Sequence, residues 1–106
     1  MVRIPADVNK PVERVQLAPD LEVFQKEVGG YVEAIQLPAS VMWLDEEGKL
    51  KGKRPNARAT ALCRVFGRLA ADRVVGDVVC VGYSLYDDVY GDVPDRIAQL
   101  AEDMAL

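Results

Sequence analysis

The chain has 106 residues, 50% of them apolar and 28% charged, which is the balance of one globular domain and excludes disorder as the main state. No run of about 18 apolar residues occurs, which excludes an apolar helical span. Histidine is absent, so a His-based nucleophilic triad and a His-containing zinc site are excluded as well. The opening Met1-Val-Arg-Ile-Pro5 lacks the apolar core of a signal peptide. Cys63 and Cys80 each sit inside an apolar run, and two buried thiols in a reducing cytoplasm are expected, with one disulfide left open by spacing alone.

The net charge of −4 hides an asymmetry. Between Lys49 and Arg73 stand eight basic residues and one acidic residue, a balance of +7; the remaining five basic and sixteen acidic residues carry −11. A basic stretch of this kind marks an anion surface or a set of solvated charges around a helix and a hairpin.

In chain order, residues 1–11 read as irregular and Val12–Leu17 as a short strand. Asp20 is a good N-cap for a helix over Leu21–Val28, with Leu21, Phe24 and Val28 on one stripe and Gly29 at the stop position. Tyr31–Leu37 is a strand whose odd positions share a face, with Glu33 the misfit among Tyr31, Ile35 and Leu37. Val41–Leu44 is another strand. Asp45–Gly48 is expected to turn it, with Gly48 at positive φ and Lys49–Lys51 as the return arm, Leu50 pointing inward.

Asn56 caps a central helix whose stripe is Leu62, Cys63, Phe66, Leu69 and Ala70, with Val65 at its edge; it is expected to end near Asp72. Val74–Tyr83 is nearly continuous and β-branched, a strand buried on both faces, with Asp77 as a second misfit. Residues 84–91 form an acidic, tyrosine-bearing exposed loop. Asp92 is then expected to cap a C-terminal helix over 92–106, with Val93, Ile97, Leu100, Ala101 and Met104 on its apolar stripe. This order predicts a single α+β domain over 1–106: a mostly antiparallel sheet of about four or five strands with three helices packed on one face.

Four landmarks occur in order: Gly29-Gly30-Tyr31-Val32-Glu33, Asp45-Glu46-Glu47-Gly48-Lys49-Leu50, Pro55-Asn56-Ala57-Arg58-Ala59, and Val75-Gly76-Asp77-Val78-Val79. Together they resemble a family of small domains of unknown function found in bacteria, their phages and mobile elements. The resemblance implies a fold and a phage or mobile-element setting, hence the host cytoplasm. It implies no activity.

Several residues are candidates for function. Glu33 on an apolar face suggests ligand recognition or acid–base work; the structural alternatives are a buried pair with Arg58 or a backbone amide, or a face that is simply exposed. Lys53, Arg54, Asn56 and Arg58 surround a helix N-terminus, where an anion binds well, and Trp43 offers a surface for stacking. No Gly-rich phosphate loop accompanies them. Asp45, Glu46 and Glu47 are explained by turn chemistry, so no metal site and no cofactor are expected. Tyr83, Tyr86, Asp87, Asp88 and Tyr90 form a contact patch, since tyrosine is enriched at interfaces.

The leading expectation is a non-catalytic accessory protein that binds a host protein or partner chain. The second is a binder of a nucleotide or other phosphate-bearing ligand through Arg58, Asn56, Trp43, Glu33, Lys53 and Arg54, which leaves a homo-oligomer interface open. The third, a hydrolase or transferase using Glu33 or Asp77 as base, has no spacing to support it. The acidic residues are scattered, which disfavours nucleic-acid mimicry, and nucleic acid is not an expected partner.

Overall fold

The computed structural model describes residues 1–68 and 72–104. Its elements are β1 (Val2–Ile4), β2 (Glu13–Arg14), α1 (Leu21–Val28), β3 (Val32–Leu37), β4 (Ser40–Asp45), α2 (Ala57–Val65), β5 (Val78–Ser84), β6 (Val89–Gly91) and α3 (Asp95–Glu102). The strands form one antiparallel sheet of order β2-β1-β5-β4-β3, with β6 pairing β5 beyond the end of β1. This is the α+β class expected, with six strands in place of four or five.

The helices do not share one face. Phe24 of α1 packs on Val41, Val79 and Val81, with Trp43 stacked on it at 4.9 Å between ring centroids. Ala59, Leu62 and Cys63 of α2 and Ile97, Ala98 and Ala101 of α3 pack on the opposite side, against Val2, Ile4, Met42, Leu44, Val78 and Cys80. The reason lies in β4 and β5, whose residues are apolar at both odd and even positions. Such strands need cover on both sides, so the helices divide between them.

The first helix forms as its signals dictate. Asp20 accepts from the Val23 amide at 3.0 Å, and Gly29 closes the helix at φ 77°. Residues 1–11, read as irregular, contain β1, which lies inside the sheet with Val2 and Ile4 buried. Three residues are too few to display alternation. The expected strand over Val12–Leu17 shrinks to Glu13–Arg14, where Arg14 bonds Glu102 and Asp95 of α3 at 2.8 and 3.2 Å.

The expected hairpin after Asp45 does not form. Both edges of β4 are already occupied, by β3 and β5, so no place remains for a return arm. Residues 46–52 wind into successive turns instead, and Leu50 is 86% exposed rather than inward. Gly48 does not adopt a positive φ. It is needed for close approach, since a Cβ there would lie 2.9 Å from Val75 Cγ2 and 3.2 Å from the Asp45 carbonyl oxygen.

The central helix begins as expected at its Asn56 cap but stops at Val65. Gly67, at φ 68°, donates to the Arg64 carbonyl at 3.0 Å, and Arg68 donates to that of Cys63 at 3.0 Å. This is a Schellman stop; it leaves Val65 exposed, while Leu69 and Ala70 lie outside the described residues. The last helix is capped by Pro94 rather than Asp92, because the residue before a proline avoids the helical region. The Ile97 and Ala98 amides bond the Pro94 carbonyl, and Asp95 turns to Arg14. The loop expected over 84–91 holds a tight turn and β6, making a β5–β6 hairpin.

Both cysteines are free and buried, and Cys63 Sγ lies 3.6 Å from Met42 Sδ. Burial pushes the Cys63 thiol up to about 11 and the Cys80 thiol up to about 12. Thiol labelling of the native protein is therefore expected to be slow at both positions and fast only after denaturation. Rapid modification of either cysteine in the folded protein would contradict their burial.

Among the described residues, no helix is long and apolar enough to cross a membrane.

Candidate functional site

A cavity of about 620 Å³ lies where the β5–β6 hairpin meets the β3–β4 turn. Its walls are mainly apolar: Leu37 and Pro38 on one side, Leu85, Tyr86 and Val89 on the other, with Gly82 beneath. Leu85 is 75% exposed and Tyr86 fully so, although both are large and apolar enough to favour burial.

The hairpin makes contacts of its own and with α1. The Tyr83 hydroxyl donates to the Asp88 carboxylate, a bond that pushes the hydroxyl's pKa up. The Tyr83 and Tyr90 rings lie 5.6 Å apart, and Tyr90 meets Phe24 edge-on at 5.7 Å. Among the described residues, the non-glycine positions at positive φ are Ala39 (49°) and Asp88 (52°), one in each turn bordering the cavity. Aspartate adopts this conformation readily in a turn, whereas Ala39 carries a modest cost that the β3–β4 pairing sustains. Gly82 completes the geometry. The chain leaving β6 crosses directly over it, so that a Cβ at Gly82 would stand 2.0 Å from the Asp92 carbonyl oxygen.

The hairpin gathers the residues expected to form a contact patch: Tyr83, Tyr86, Asp87, Asp88 and Tyr90. Tyr86 and Asp87 face solvent, whereas Asp88 is engaged by Tyr83 and Tyr90 is partly covered. Leu85, Val89 and the Pro38–Ala39 turn complete the cavity and were not singled out from sequence. A buried Leu37 followed by Pro-Ala and a second strand is the signal that points to that turn.

Of the candidates for an anion site, Lys53 and Arg54 line one open cavity with Lys10, Asp7 and Asp77, and Asn56, Arg58, Trp43 and Glu33 do not line it. Asn56 is fully buried; its Nδ2 donates to the Ile4 and Gly76 carbonyls at 2.9 and 3.0 Å, and its Oδ1 accepts from the Ala59 amide. Arg58 is 7% exposed and its Nη2 donates to the Pro5 and Asp7 carbonyls at 2.7 and 3.0 Å. Both side chains pin the segment after β1 to the start of α2, Arg58 through Nη2 while its Nε is buried without a partner. Trp43 stacks on Phe24 on the opposite side of the sheet from α2. Glu33 is exposed on β3 and pairs with neither Arg58 nor a buried amide among the described contacts. Arg54 reaches Asp7 at 3.7 Å at the surface. Asp77 accepts from the Ala6 amide at 2.9 Å.

Lys53 also belongs to a cluster centred on buried Asp45. Lys51 and Lys53 contact the Asp45 carboxylate at 2.8 and 2.7 Å, and the Glu47 amide donates to it at 2.8 Å. The same ammonium groups reach the Gly29 and Val28 carbonyls at 3.3 and 2.7 Å, capping the negative end of α1. Burial alone would raise the Asp45 pKa, but the two lysines and the amide outweigh it and hold the carboxyl at about 2.

That folded value lies below the unfolded one, so the stabilisation is present above about pH 4 and is lost as pH falls towards 2. Asp45→Asn is expected to destabilise the domain by about 1–3 kcal/mol at neutral pH and to flatten this acid limb. Thermal melts between pH 2 and pH 7 check it; identical limbs in the two proteins would contradict the assignment.

Residues 1–105 match the family described as a domain of unknown function (DUF3846). The chain belongs to this family. No curated protein and no solved structure matches it. The match spans β1 through α3, so the cavity and the Asp45 cluster both fall within the family's domain.

Proposed function

We propose that this DUF3846 domain is a non-catalytic accessory protein, of the kind encoded by phages and mobile elements, that acts in the host cytoplasm by binding a host protein or partner chain through the β5–β6 hairpin. The observation that carries the reading is the pairing of a largely apolar cavity with protruding Leu85 and Tyr86 on a hairpin held by its own tyrosine and aspartate contacts. Apolar and aromatic side chains presented on a hydrogen-bonded hairpin lose less conformational freedom on binding than the same side chains on an unpaired loop. Arg68 and Asp92 line the cavity with opposite charges and Asp87 is exposed on the adjoining turn, so the apolar centre is offered with charges of both signs around it.

Parallel captures from a bacterial lysate test the reading, one with the parent and one with Leu85→Asp/Tyr86→Ser. Both side chains are solvated, so the double variant should melt within about 1 kcal/mol of the parent. A protein retained by the parent and lost by the variant, with no nucleotide in the eluate, is the expected result. Identical captures would remove the hairpin from consideration, and a nucleotide in the parent's eluate would favour the ligand-binding alternative.

A further inference from the structure

The two ends of the sheet are built differently. At one end β2 is two residues long and both are charged, which blunts it against further pairing. At the other end β3 runs for six residues in unbroken register with β4, from Val32↔Asp45 to Leu37↔Ser40, and has no bulge, no lysine and no internal proline. Its single charge is Glu33. Among the described residues no strand pairs its outer side.

Which backbone groups point outward follows from one bond. The Glu46 amide donates to the Tyr31 carbonyl at 2.9 Å, so Tyr31 and Glu46 form a hydrogen-bonded pair. Hydrogen-bonded and non-hydrogen-bonded pairs alternate along an antiparallel ladder. Residues 33, 35 and 37 therefore direct their backbone groups toward β4, and Val32, Ala34 and Gln36 present theirs at the open edge.

We infer that two copies of this chain join along β3, antiparallel and with Ala34 opposite Ala34 of the second copy on the two-fold axis. This register matches Val32 with Gln36 of the second copy, Ala34 with Ala34, and Gln36 with Val32, three hydrogen-bonded pairs from the three outward residues. A shift that centres the axis on Glu33 loses a pair and sets two carboxylates against each other; one centred on Ile35 also loses a pair. In the Ala34-centred register the two Glu33 carboxylates are kept apart, each opposite Ile35, and the exposed Tyr31 lies over the end of the second copy's β3 at Leu37, whose side chain is buried in its own core. The outward groups of Val32, Ala34 and Gln36 are placed symmetrically about Ala34, with the one charge of the strand set off the axis, and this two-fold match of β3 to itself is the argument for a second copy over an unrelated strand. The interface adjoins the cavity at Gln36 and Leu37 but uses no residue of the β5–β6 hairpin, and Ala34, on which its test rests, does not line the cavity.

Light scattering and cysteine cross-linking of the full chain test this. The parent is expected to scatter with the mass of two chains. Ala34→Lys, at an exposed position, sets like charges directly opposite and should give one chain with unchanged circular dichroism and melting. Ala34→Cys should oxidise to a covalent dimer, since paired Cα atoms lie about 5.5 Å apart across such a pair, within disulfide reach. Ile35→Cys should not, because its two copies are offset along the strands. Native Cys63 and Cys80 are buried and do not compete. A monomeric parent, or equal cross-linking at positions 34 and 35, would overturn the inference.

Discussion

Gly82→Ala will unfold the domain or cost it about 3 kcal/mol or more, while Gly91→Ala, on the paired residue of the neighbouring strand, will leave it as stable as the parent. The two glycines differ in what lies above them. A Cβ at Gly82 would stand 2.0 Å from the Asp92 carbonyl oxygen and 2.4 Å from its carbon, whereas one at Gly91 would meet nothing within 4 Å. The obstacle at Gly82 is backbone, which no rotamer change relieves. Relief requires lifting the chain between β6 and α3 off the sheet, which withdraws Val93 and Ile97 from the core and deforms the cavity floor. Denaturant unfolding of the two variants checks the contrast. Equal stability would mean that the β6–α3 crossing does not run over Gly82.

Asn56→Ala is expected to cost about 3–4 kcal/mol, more than an ordinary cap, because it removes a cap and strands two buried carbonyls at once. The diagnostic variant is Asn56→Asp. Aspartate keeps the acceptor that caps the Ala59 amide but supplies no donor to the Ile4 and Gly76 carbonyls, and sets a negative charge beside them. It should therefore be at least as damaging as alanine. Full rescue by aspartate in a thermal melt would reduce Asn56 to a helix cap and remove its role in joining β1, α2 and the entry to β5.

Local signals made much of the fold readable. The Asp20 cap, the Gly29 stop and the Phe24/Val28 stripe define α1, and the valine run of β5 marks a strand buried on both sides. What stayed hidden depends on distant partners. The Lys49–Lys51 segment carries a hairpin's pattern, but β5 takes the edge of β4 that the return arm would need. Leu50 looks like a core residue only if that arm exists. β1 is too short for a pattern and owes its place to pairing with β5, some seventy-five residues away in the chain. Asn56 and Arg58 have the chemistry of an anion site, yet the carbonyls of Ile4, Pro5 and Asp7 reach them first. The tyrosines of the hairpin were visible because exposed aromatics near turn residues need no distant partner to explain them; the opposite wall at Pro38 and Ala39 meets them only after the sheet is assembled.

The most direct measurement places a photo-cross-linking amino acid at position 86, and separately at position 50, in the full chain inside bacterial cells. Leu50 and Tyr86 are both highly exposed apolar side chains, in different turns. Covalent capture of a partner protein from position 86 and not from position 50 is the result predicted here. Capture from position 50 alone, or the same adducts from both, would contradict the assignment of the hairpin as the binding surface.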